Sequence, residues 1–268
     1  MSRLRLTTTL AVVALLSLPA LAEAKTLVTM SGSTSIFPLA QALAKRYVKD
    51  NPNKLQFKIL QGGSDIGIND VARGRVTIGN SSRDPVSTDP GGLTFKKIAR
   101  DGICVISNPA NPISNLSQEQ VQAIFSGKVR SWADVPGAKS TGAISIVTRT
   151  ASSGTADAFQ NIFMGQSLRI AASAAAKSSN GLVNQAVRDD KDAIGFVSFD
   201  FVSGVSPVGY AGVPCTLRNA KSGQYQGVRN FWMVTRGAPT GGAATWINWI
   251  QSSSAARSVI STHWIPVR

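Results

Sequence analysis

The chain has 268 residues, 43% of them hydrophobic, 16% charged and 7% aromatic, which is typical of a folded globular protein rather than a disordered or fibrous one. Lysine and arginine together number 28 against 14 aspartates and glutamates, and the formal net charge of +14 predicts affinity for anions. A single histidine and two cysteines leave few groups for a metal centre or for acid–base catalysis, so a metalloenzyme or a hydrolase is disfavoured.

Residues 1–24 have the pattern of a secretory signal peptide. A basic start, Met-Ser-Arg-Leu-Arg, is followed by an apolar run from about Leu10 to Leu18 and by small residues that suit cleavage after Ala24 or after Ala22. The apolar run is about half as long as the roughly 20 residues that a membrane-spanning helix requires, and no cysteine near the cleavage site could carry a lipid anchor. We therefore expect a soluble protein exported to the periplasm, with secretion beyond the periplasm as an alternative.

The first third of the mature chain predicts three strands, each of which ends in a turn rich in glycine and serine, and helical spacing of apolar residues follows the first two turns. This recurrence of strand, turn and helix is typical of an α/β sheet whose strand ends carry ligand-binding groups. The strands with their turns are Thr26–Met30 with Ser31–Ser35, Leu55–Leu60 with Gly62–Gly67, and Val76–Gly79 with Asn80–Arg83.

Further along the chain, Ile103–Ser107 predicts a strand, and the proline-containing turn Asn108–Pro112 after it suits a crossing between two domains. Another strand is predicted at Ala143–Thr148, and one long helix is predicted from Ala243 to about Thr262. The alternation predicts two α/β lobes. Residues 25–106 and 212–268 are expected to form the first lobe and residues 107–211 the second.

Four of the predicted strand-to-helix turns carry groups that suit a tetrahedral oxyanion, namely hydroxyls, a guanidinium and the free N–H groups of helix N-termini. Taken singly, each serine or threonine is more simply explained as an ordinary helix cap, but the recurrence after four strands favours an anion site. The residues are Thr34 and Ser35, Ser64, Ser82 and Arg83, and Arg149 with Ser153, Gly154 and Thr155.

The same turns resemble sequence motifs of a known family, the PstS-like periplasmic phosphate-binding proteins of ABC phosphate importers. The resemblance preserves the order of the family's motifs and extends over essentially the whole mature chain. The matching segments are Gly32-Ser-Thr-Ser-Ile-Phe-Pro38, Gln61-Gly-Gly-Ser-Asp-Ile-Gly67, Ile78-Gly-Asn-Ser-Ser-Arg83, Phe125-Ser-Gly-Lys-Val-Arg-Ser-Trp132, Arg149-x3-Ser-Gly-Thr155 and Ala193-Ile-Gly-Phe196.

The resemblance implies a two-lobed periplasmic-binding-protein fold, type II-like, with a ligand cleft between the lobes. It implies a monomer that captures inorganic phosphate and delivers it to an ABC transporter permease at the inner membrane, without catalytic residues, metal or cofactor. The ligand contacts that it implies are Thr34, Ser35, Ser64, Ser82, Arg83, Arg149, Ser153, Gly154 and Thr155.

One departure from the family bears on ligand choice. Some members carry an aspartate at the position of Ser82, where the carboxylate accepts the proton of hydrogen phosphate and repels sulfate; a serine can accept or donate. Asp65 and Asp84 are candidate substitutes for that aspartate, although solvated loop acids are the simpler interpretation. Sulfate or molybdate, or a diversion to phosphate sensing or adhesion, therefore stay open as alternatives.

Two other functions are disfavoured. A phosphate-processing hydrolase would need a catalytic set that one histidine cannot easily complete, and the sequence has no Walker A, G-x-S-x-G or metal-binding motif. Nucleic-acid binding is disfavoured because the basic residues are scattered and lack interleaved aromatic residues.

Cys104 and Cys215 allow two interpretations. Export to an oxidising compartment favours a disulfide between them, and the alternative is a pair of buried free cysteines.

Overall fold

Strands and helices alternate along the described chain, residues 25–267, in the computed structural model. The predicted signal peptide, residues 1–24, lies outside the described residues. The strands are β1 Thr26–Gly32, β2 Leu55–Ile59, β3 Ile78–Ser81, β4 Leu93–Ser107, β5 Asn115–Leu116, β6 Ser145–Arg149, β7 Ala175–Lys177, β8 Ala193–Ser198, β9 Ser206–Tyr210, β10 Val228–Arg236 and β11 Ile265–Pro266. The α-helices are α1 Phe37–Asp50, α2 Ser64–Ala72, α3 Gln118–Phe125, α4 Gly154–Phe159, α5 Asn180–Asp189, α6 Leu217–Ser222, α7 Gly241–Ser252 and α8 Ser254–His263.

The first lobe is built on β1. This strand pairs in parallel with β2 on one side and with β3 on the other, and β3 pairs antiparallel with β10. Helix α1 buries the apolar stripe that its helical spacing predicts, including Leu39 and Leu43, against Val28 and Met30 of β1, together with Trp246 of α7. A separate hydrophobic core therefore lies beneath this part of the sheet.

Strand β4 belongs to both halves of the molecule. Its N-terminal part pairs with β10 as far as Gly102, which lies opposite Val228, and from Ile103 onwards it pairs with β8 and β9 instead. At Gly102 an added Cβ would lie 2.1 Å from the ring of Phe199, so a larger residue there would require that ring to move. The change of partners places the crossing between the lobes inside a continuous strand.

The second core belongs to the middle of the chain. Phe159 of α4 and Phe196 of β8 stack with their ring centroids 3.9 Å apart, and Phe125 and Trp132 are fully buried beside them. Because this cluster is distinct from the core beneath β1, the described chain has two large hydrophobic cores and forms two lobes. A third, smaller cluster of Ile68, Val71 and Val234 lies between α2 and β10 of the first lobe.

The lobe boundaries predicted from the sequence, 25–106, 107–211 and 212–268, stay a prediction. Cys215, Ala220 and Tyr225 pack in the middle core, and Tyr225 donates its hydroxyl to the carbonyl oxygen of Ile103 at 2.7 Å. On this packing we propose that the middle lobe runs from about residue 103 to about residue 227.

A disulfide joins Cys104 and Cys215, whose Cα atoms lie 5.8 Å apart. Cys104 lies on β4 just after the crossing between the lobes, and Cys215 lies just before α6. Both are buried in the middle core. The bond therefore connects the beginning of the middle lobe to a segment near its end.

The prediction of a single helix from Ala243 to about Thr262 is wrong, because Ser253 divides the segment into α7 and α8. The backbone of Ser253 is extended, with φ −79° and ψ 133°, and its hydroxyl accepts the N–H groups of Ala255 and Ala256. A serine that caps a new helix in this way ends the preceding one.

Within residues 25–267, no helix is both long enough and apolar enough to cross a lipid bilayer.

Candidate functional site

The polar turns predicted from the sequence meet between the two lobes. Ser35 Oγ on the first lobe lies 3.0 Å from Thr155 Oγ1 on the middle lobe, and Gly154 packs against the hydroxyl of Ser64. The side chains converging here are nearly inaccessible, none more than 5% exposed, although all are polar or charged. They are Thr34, Ser35, Ser64, Ser82, Arg149, Ser153 and Thr155.

The turn after β1 shows how the sequence builds this cluster. Gly32 has a φ of 128°, and an added Cβ would lie 2.3 Å from the carbonyl oxygen of Asn80, so glycine is required where β1 passes β3. The hydroxyl of Ser33 then accepts the N–H groups of Ser35 and Ile36, which turns the chain into α1. As a result, the side chains between β1 and α1 lie at the boundary between the lobes.

Arg149 ends β6 and lies inside the cluster. Its guanidinium donates to the carbonyl oxygens of Lys177 and Ser178 and, through Nη2, to Thr34 Oγ1 at 3.2 Å. Its Nη1 is buried and has no hydrogen-bond partner among residues 25–267. Burial, together with the positive charge of nearby Arg229, lowers the pKa of Arg149 to about 10, so the side chain remains charged at neutral pH. A buried cation with an unpaired donor favours an anionic partner.

A second buried arginine, Arg229 of β10, escaped the sequence reasoning. Its Nη2 donates to Ser35 Oγ at 2.8 Å and its Nη1 donates to Thr155 Oγ1 at 2.9 Å, so it contacts a turn of each lobe. Nε and Nη2 also donate to Asp101 Oδ2, at 3.2 and 2.9 Å, across the β4–β10 pairing.

Burial dominates the pKa values of Arg229 and Asp101, and their pairing opposes it. Burial lowers the pKa of Arg229, and Asp101 opposes that effect. Burial likewise raises the pKa of Asp101, against the opposing effects of Arg229 and of the Ser198 hydroxyl. No local signal marks the pair, because β4 also carries Lys96, Lys97 and Arg100, and β10 also carries Arg236.

Asn180, the first residue of α5, was also missed. Its Nδ2 donates both hydrogens into the cluster, to Thr34 Oγ1 at 3.1 Å and to Ser35 Oγ at 2.8 Å, while its Oδ1 accepts the N–H of Ser198. Because Oδ1 accepts that N–H, the orientation of the amide is determined. The local signal was Ser179, whose hydroxyl caps α5 directly after β7.

Comparisons with known proteins show the family to which the chain belongs. The family model described as a PBP superfamily domain matches residues 19–254. A phosphate ABC transporter substrate-binding protein from Clostridium perfringens, solved with bound phosphate, is 30% identical to this chain, with a TM-score of 0.84 over 91% of this chain and 100% of that one. The chain belongs to the substrate-binding proteins of ABC phosphate transporters.

Other members of the family give the same result. The ABC-type phosphate transport receptor from Vibrio cholerae is 27% identical, with a TM-score of 0.71 over 90% of this chain and 100% of that one. The phosphate-binding protein PstS of Bacillus subtilis (strain 168) is 27% identical over 245 residues, covering 89% of this chain and 80% of that protein. The predicted family and the predicted two-lobed α/β fold are confirmed. Since the family consists of substrate-binding proteins, the prediction that the chain is not an enzyme is confirmed as well.

Arg83 was also predicted to contact the ligand, but its guanidinium is paired with two carboxylates. Its Nε donates to Asp65 Oδ1 at 2.7 Å, and its two terminal nitrogens donate to Asp89, at 3.1 and 2.5 Å. Burial alone would lower the pKa of Arg83, but hydrogen bonds and charges of Asp89 and Asp65 raise it above its ordinary value. The guanidinium is therefore held by two carboxylates on its own lobe.

The two acids considered as substitutes for the family's aspartate already have partners. Asp65 is paired with Arg83, and Asp84 Oδ1 accepts the Nε1–H of Trp232 at 2.8 Å and the side-chain amide of Asn230 at 2.9 Å. No hydrogen bond connects either carboxylate to the polar cluster between the lobes.

Proposed function

We propose that this protein binds inorganic phosphate in the polar cluster between its lobes and delivers it to the permease of an ABC transporter. The observation that carries the proposal is the buried, charged guanidinium of Arg149, which donates to the Thr34 hydroxyl of the first lobe and whose Nη1 has no hydrogen-bond partner within residues 25–267. The Clostridium perfringens relative contains bound phosphate, which supports the same ligand here.

In this proposal each lobe supplies half of the site. Thr34, Ser35, Ser64 and Ser82 come from the first lobe, and Arg149, Ser153, Gly154 and Thr155 come from the middle lobe. Arg149 provides the main counter-charge, and the hydroxyls provide the geometry for a tetrahedral anion. Because the ligand contacts both lobes, it favours the closed arrangement by its extra contacts there. Arg83 holds its turn through Asp65 and Asp89, and these two carboxylates neutralise its charge.

The cellular setting belongs to the same proposal. We propose that residues 1–24 direct export, that the mature chain acts as a monomer in the periplasm, and that the permease of the phosphate transporter is its partner. The family membership and the anion-binding cluster support this setting.

Calorimetric titration tests the ligand. Protein exported from the full-length chain should bind one equivalent of inorganic phosphate at fixed ionic strength. Arsenate, which has the same shape and protonation, should compete for the site. A titration without heat, with no displacement of labelled phosphate, would refute the proposed function.

Gly154→Ala tests the closed arrangement. A Cβ at this position would lie 2.3 Å from Ser64 Oγ and 2.9 Å from the backbone nitrogen of Arg83. We expect the methyl group to hold the lobes apart and to cost about 1–3 kcal/mol of binding free energy, roughly five- to hundredfold in phosphate affinity. Gly91→Ala is the matched control, since nothing lies within 4 Å of its added Cβ. Equal phosphate affinity in the two variants would contradict the expected lobe contact.

A further inference from the structure

Asn180 lies on the middle lobe, and its side chain reaches the first lobe. It is the first residue of α5 and is completely buried. Its Oδ1 accepts the backbone N–H of Ser198 at 3.2 Å. An amide whose oxygen is held in this way has its NH2 group in one orientation, with both hydrogens directed at the cluster. The middle lobe therefore places a fixed pair of donors at the boundary between the lobes.

The two hydrogens are donated to neighbouring hydroxyls of the turn after β1. Asn180 Nδ2 donates to Thr34 Oγ1 at 3.1 Å and to Ser35 Oγ at 2.8 Å. Thr34 Oγ1 also accepts from Arg149 Nη2 at 3.2 Å. Ser35 Oγ also accepts from Arg229 Nη2 at 2.8 Å. Since a hydroxyl oxygen has two lone pairs, each of the two hydroxyls is left with only its own hydrogen to donate.

The hydrogens of these two hydroxyls differ in what they contact. No hydrogen bond within residues 25–267 uses the hydrogen of Thr34, which is therefore available to an anion. Ser35 is the donor in its 3.0 Å contact with Thr155 Oγ1, which also accepts from Arg229 Nη1 at 2.9 Å. Thr155 is left in turn with a hydrogen to donate. One amide thus determines the polarity of a hydroxyl on each lobe, Thr34 directly and Thr155 through Ser35.

Donors at these positions are compatible with a ligand that carries one proton, because oxygens elsewhere in the cluster can accept. Ser82 Oγ accepts the hydroxyl of Ser33 at 2.8 Å, and in its 3.3 Å contact with Ser64 Oγ it can act as the donor. Its other lone pair receives only a shared hydrogen of Arg229 Nη1, which lies 3.4 Å from both Oγ and the carbonyl oxygen of Ser82. The buried side-chain oxygens without a partner in the described chain are Asn80 Oδ1 and Asp101 Oδ1.

Two cations and two anions surround the Asn180 amide. Arg149 and Arg229 share its two hydroxyls, Asp101 accepts the hydroxyl of Ser198 and the guanidinium of Arg229, and the charge of Asp157 on α4 acts on Arg229. The three hydrogen bonds of the amide itself go to none of these four charged groups. Asn180 therefore acts on the cluster by orientation rather than by charge.

We propose that Asn180 is a positioning residue for phosphate: it makes Thr34 and, through Ser35, Thr155 donate their hydroxyl hydrogens to the ligand, without contacting the ligand itself. The proposal rests on the proposed function and adds to it a residue that acts only through other residues. Because the amide belongs to one lobe and the hydroxyls that it holds belong to the other, this orientation exists only while the lobes are together. Ligand affinity and lobe closure are therefore coupled at one buried side chain.

A double-mutant cycle with Thr34 tests whether Asn180 acts through that hydroxyl. Asn180→Ala returns a lone pair to each hydroxyl, so their hydrogens are free to turn away, and phosphate affinity should fall about tenfold or more in a calorimetric titration. Thr34→Val removes the hydroxyl but keeps the shape of the side chain. In the Thr34→Val background, Asn180→Ala should cost less than about threefold, because only the path through Ser35 is left. Equal fold losses in the two backgrounds would overturn the proposal.

Asn180→Asp is the second variant, and it keeps both the size of the side chain and the acceptor for the Ser198 N–H. Its other oxygen accepts where the amide donated, so it turns the hydroxyl hydrogens away from the ligand and adds a negative charge beside it. Phosphate affinity should fall by at least about a hundredfold. Gln185→Glu is the matched control, since it makes the same change from amide to carboxylate at an exposed position of α5. Equal losses in these two variants would overturn the proposal, because a general field would then explain them.

The outcomes separate this inference from the proposed function. Wild-type protein that does not bind phosphate overturns the proposed function, whereas wild-type binding with full affinity in Asn180→Ala overturns the inference alone. Thermal unfolding of each variant verifies folding, and Asn180→Asp takes the place of Asn180→Ala in the cycle if the alanine variant does not fold. A purely structural Asn180 would lower the melting temperature but leave the losses of affinity additive, which also overturns the inference. Non-additive losses with Thr34→Val support it.

Discussion

Arg149→Ala should weaken phosphate binding by about 2–5 kcal/mol, which is at least tenfold in affinity. The guanidinium is 5% exposed, is fixed by the carbonyl oxygens of Lys177 and Ser178, and has an unpaired Nη1. A charge-assisted hydrogen bond in such a buried setting is stronger than one exposed to water, so its loss is not recovered by solvent. Calorimetric titration at fixed ionic strength measures the effect.

Arg188→Ala is the matched control for Arg149→Ala. Arg188 lies on α5 of the same lobe, its side chain is 52% exposed, and its replacement removes the same unit of charge. If the general positive field of the protein attracted phosphate, both variants would lose affinity equally. Unchanged phosphate affinity in Arg149→Ala would exclude the proposed site.

Arg229→Met should destabilise the protein by about 3–5 kcal/mol, because it leaves the Asp101 carboxylate buried without its counter-charge. The two side chains are 3% and 0% exposed, and their strands pair directly at these residues. Thermal unfolding should show a clearly lower melting temperature. In the double variant Asp101→Leu with Arg229→Met no buried charge is left without a counter-charge, so much of the lost stability should return.

The pH dependence of the Arg229→Met variant provides a second readout. Burial holds the pKa of Asp101 above its ordinary value, and removing Arg229 removes the main opposing effect. An acid with a raised pKa in the folded state destabilises the fold when ionised, and the fold regains stability as the pH falls through that pKa. The stability difference from wild type should therefore shrink on acidification below neutral pH. If the difference in stability between the variant and wild type did not depend on pH, the unpaired Asp101 carboxylate would not be its cause.

The part of the site that follows from local sequence could be predicted. Thr34, Ser64 and Ser153 each lie within two residues of a glycine in a turn between a strand and a helix, and the preferences of such turns are decided within a few residues. The parallel pairing of β1 with β2 and β3 then brings two of these turns to one edge of the sheet. The residues at these strand ends could therefore be predicted as site residues without knowledge of the strand order.

The part that depends on strand register could not be predicted. Arg229 and Asp101 are 128 residues apart, and they meet only because β10 and β4 pair antiparallel in one particular register. Arg83 illustrates the converse case. Its position at a strand end suggested a ligand contact, yet the partners that hold its guanidinium lie 18 and 6 residues away, at Asp65 and Asp89. A local pattern shows where a charged side chain begins but not which groups it reaches.

The disulfide has a consequence for the covalent topology of the chain. Cys104 and Cys215 are separated by 111 positions, so the bond closes most of the middle lobe into a ring, while the first lobe continues from both sides of that ring. A single peptide-bond cut inside the ring leaves every residue attached to one molecule, whereas a cut outside it releases a fragment. A protease cut in a loop of the middle lobe would therefore leave both pieces joined through Cys104, on the strand that carries Asp101, and Cys215, just before α6.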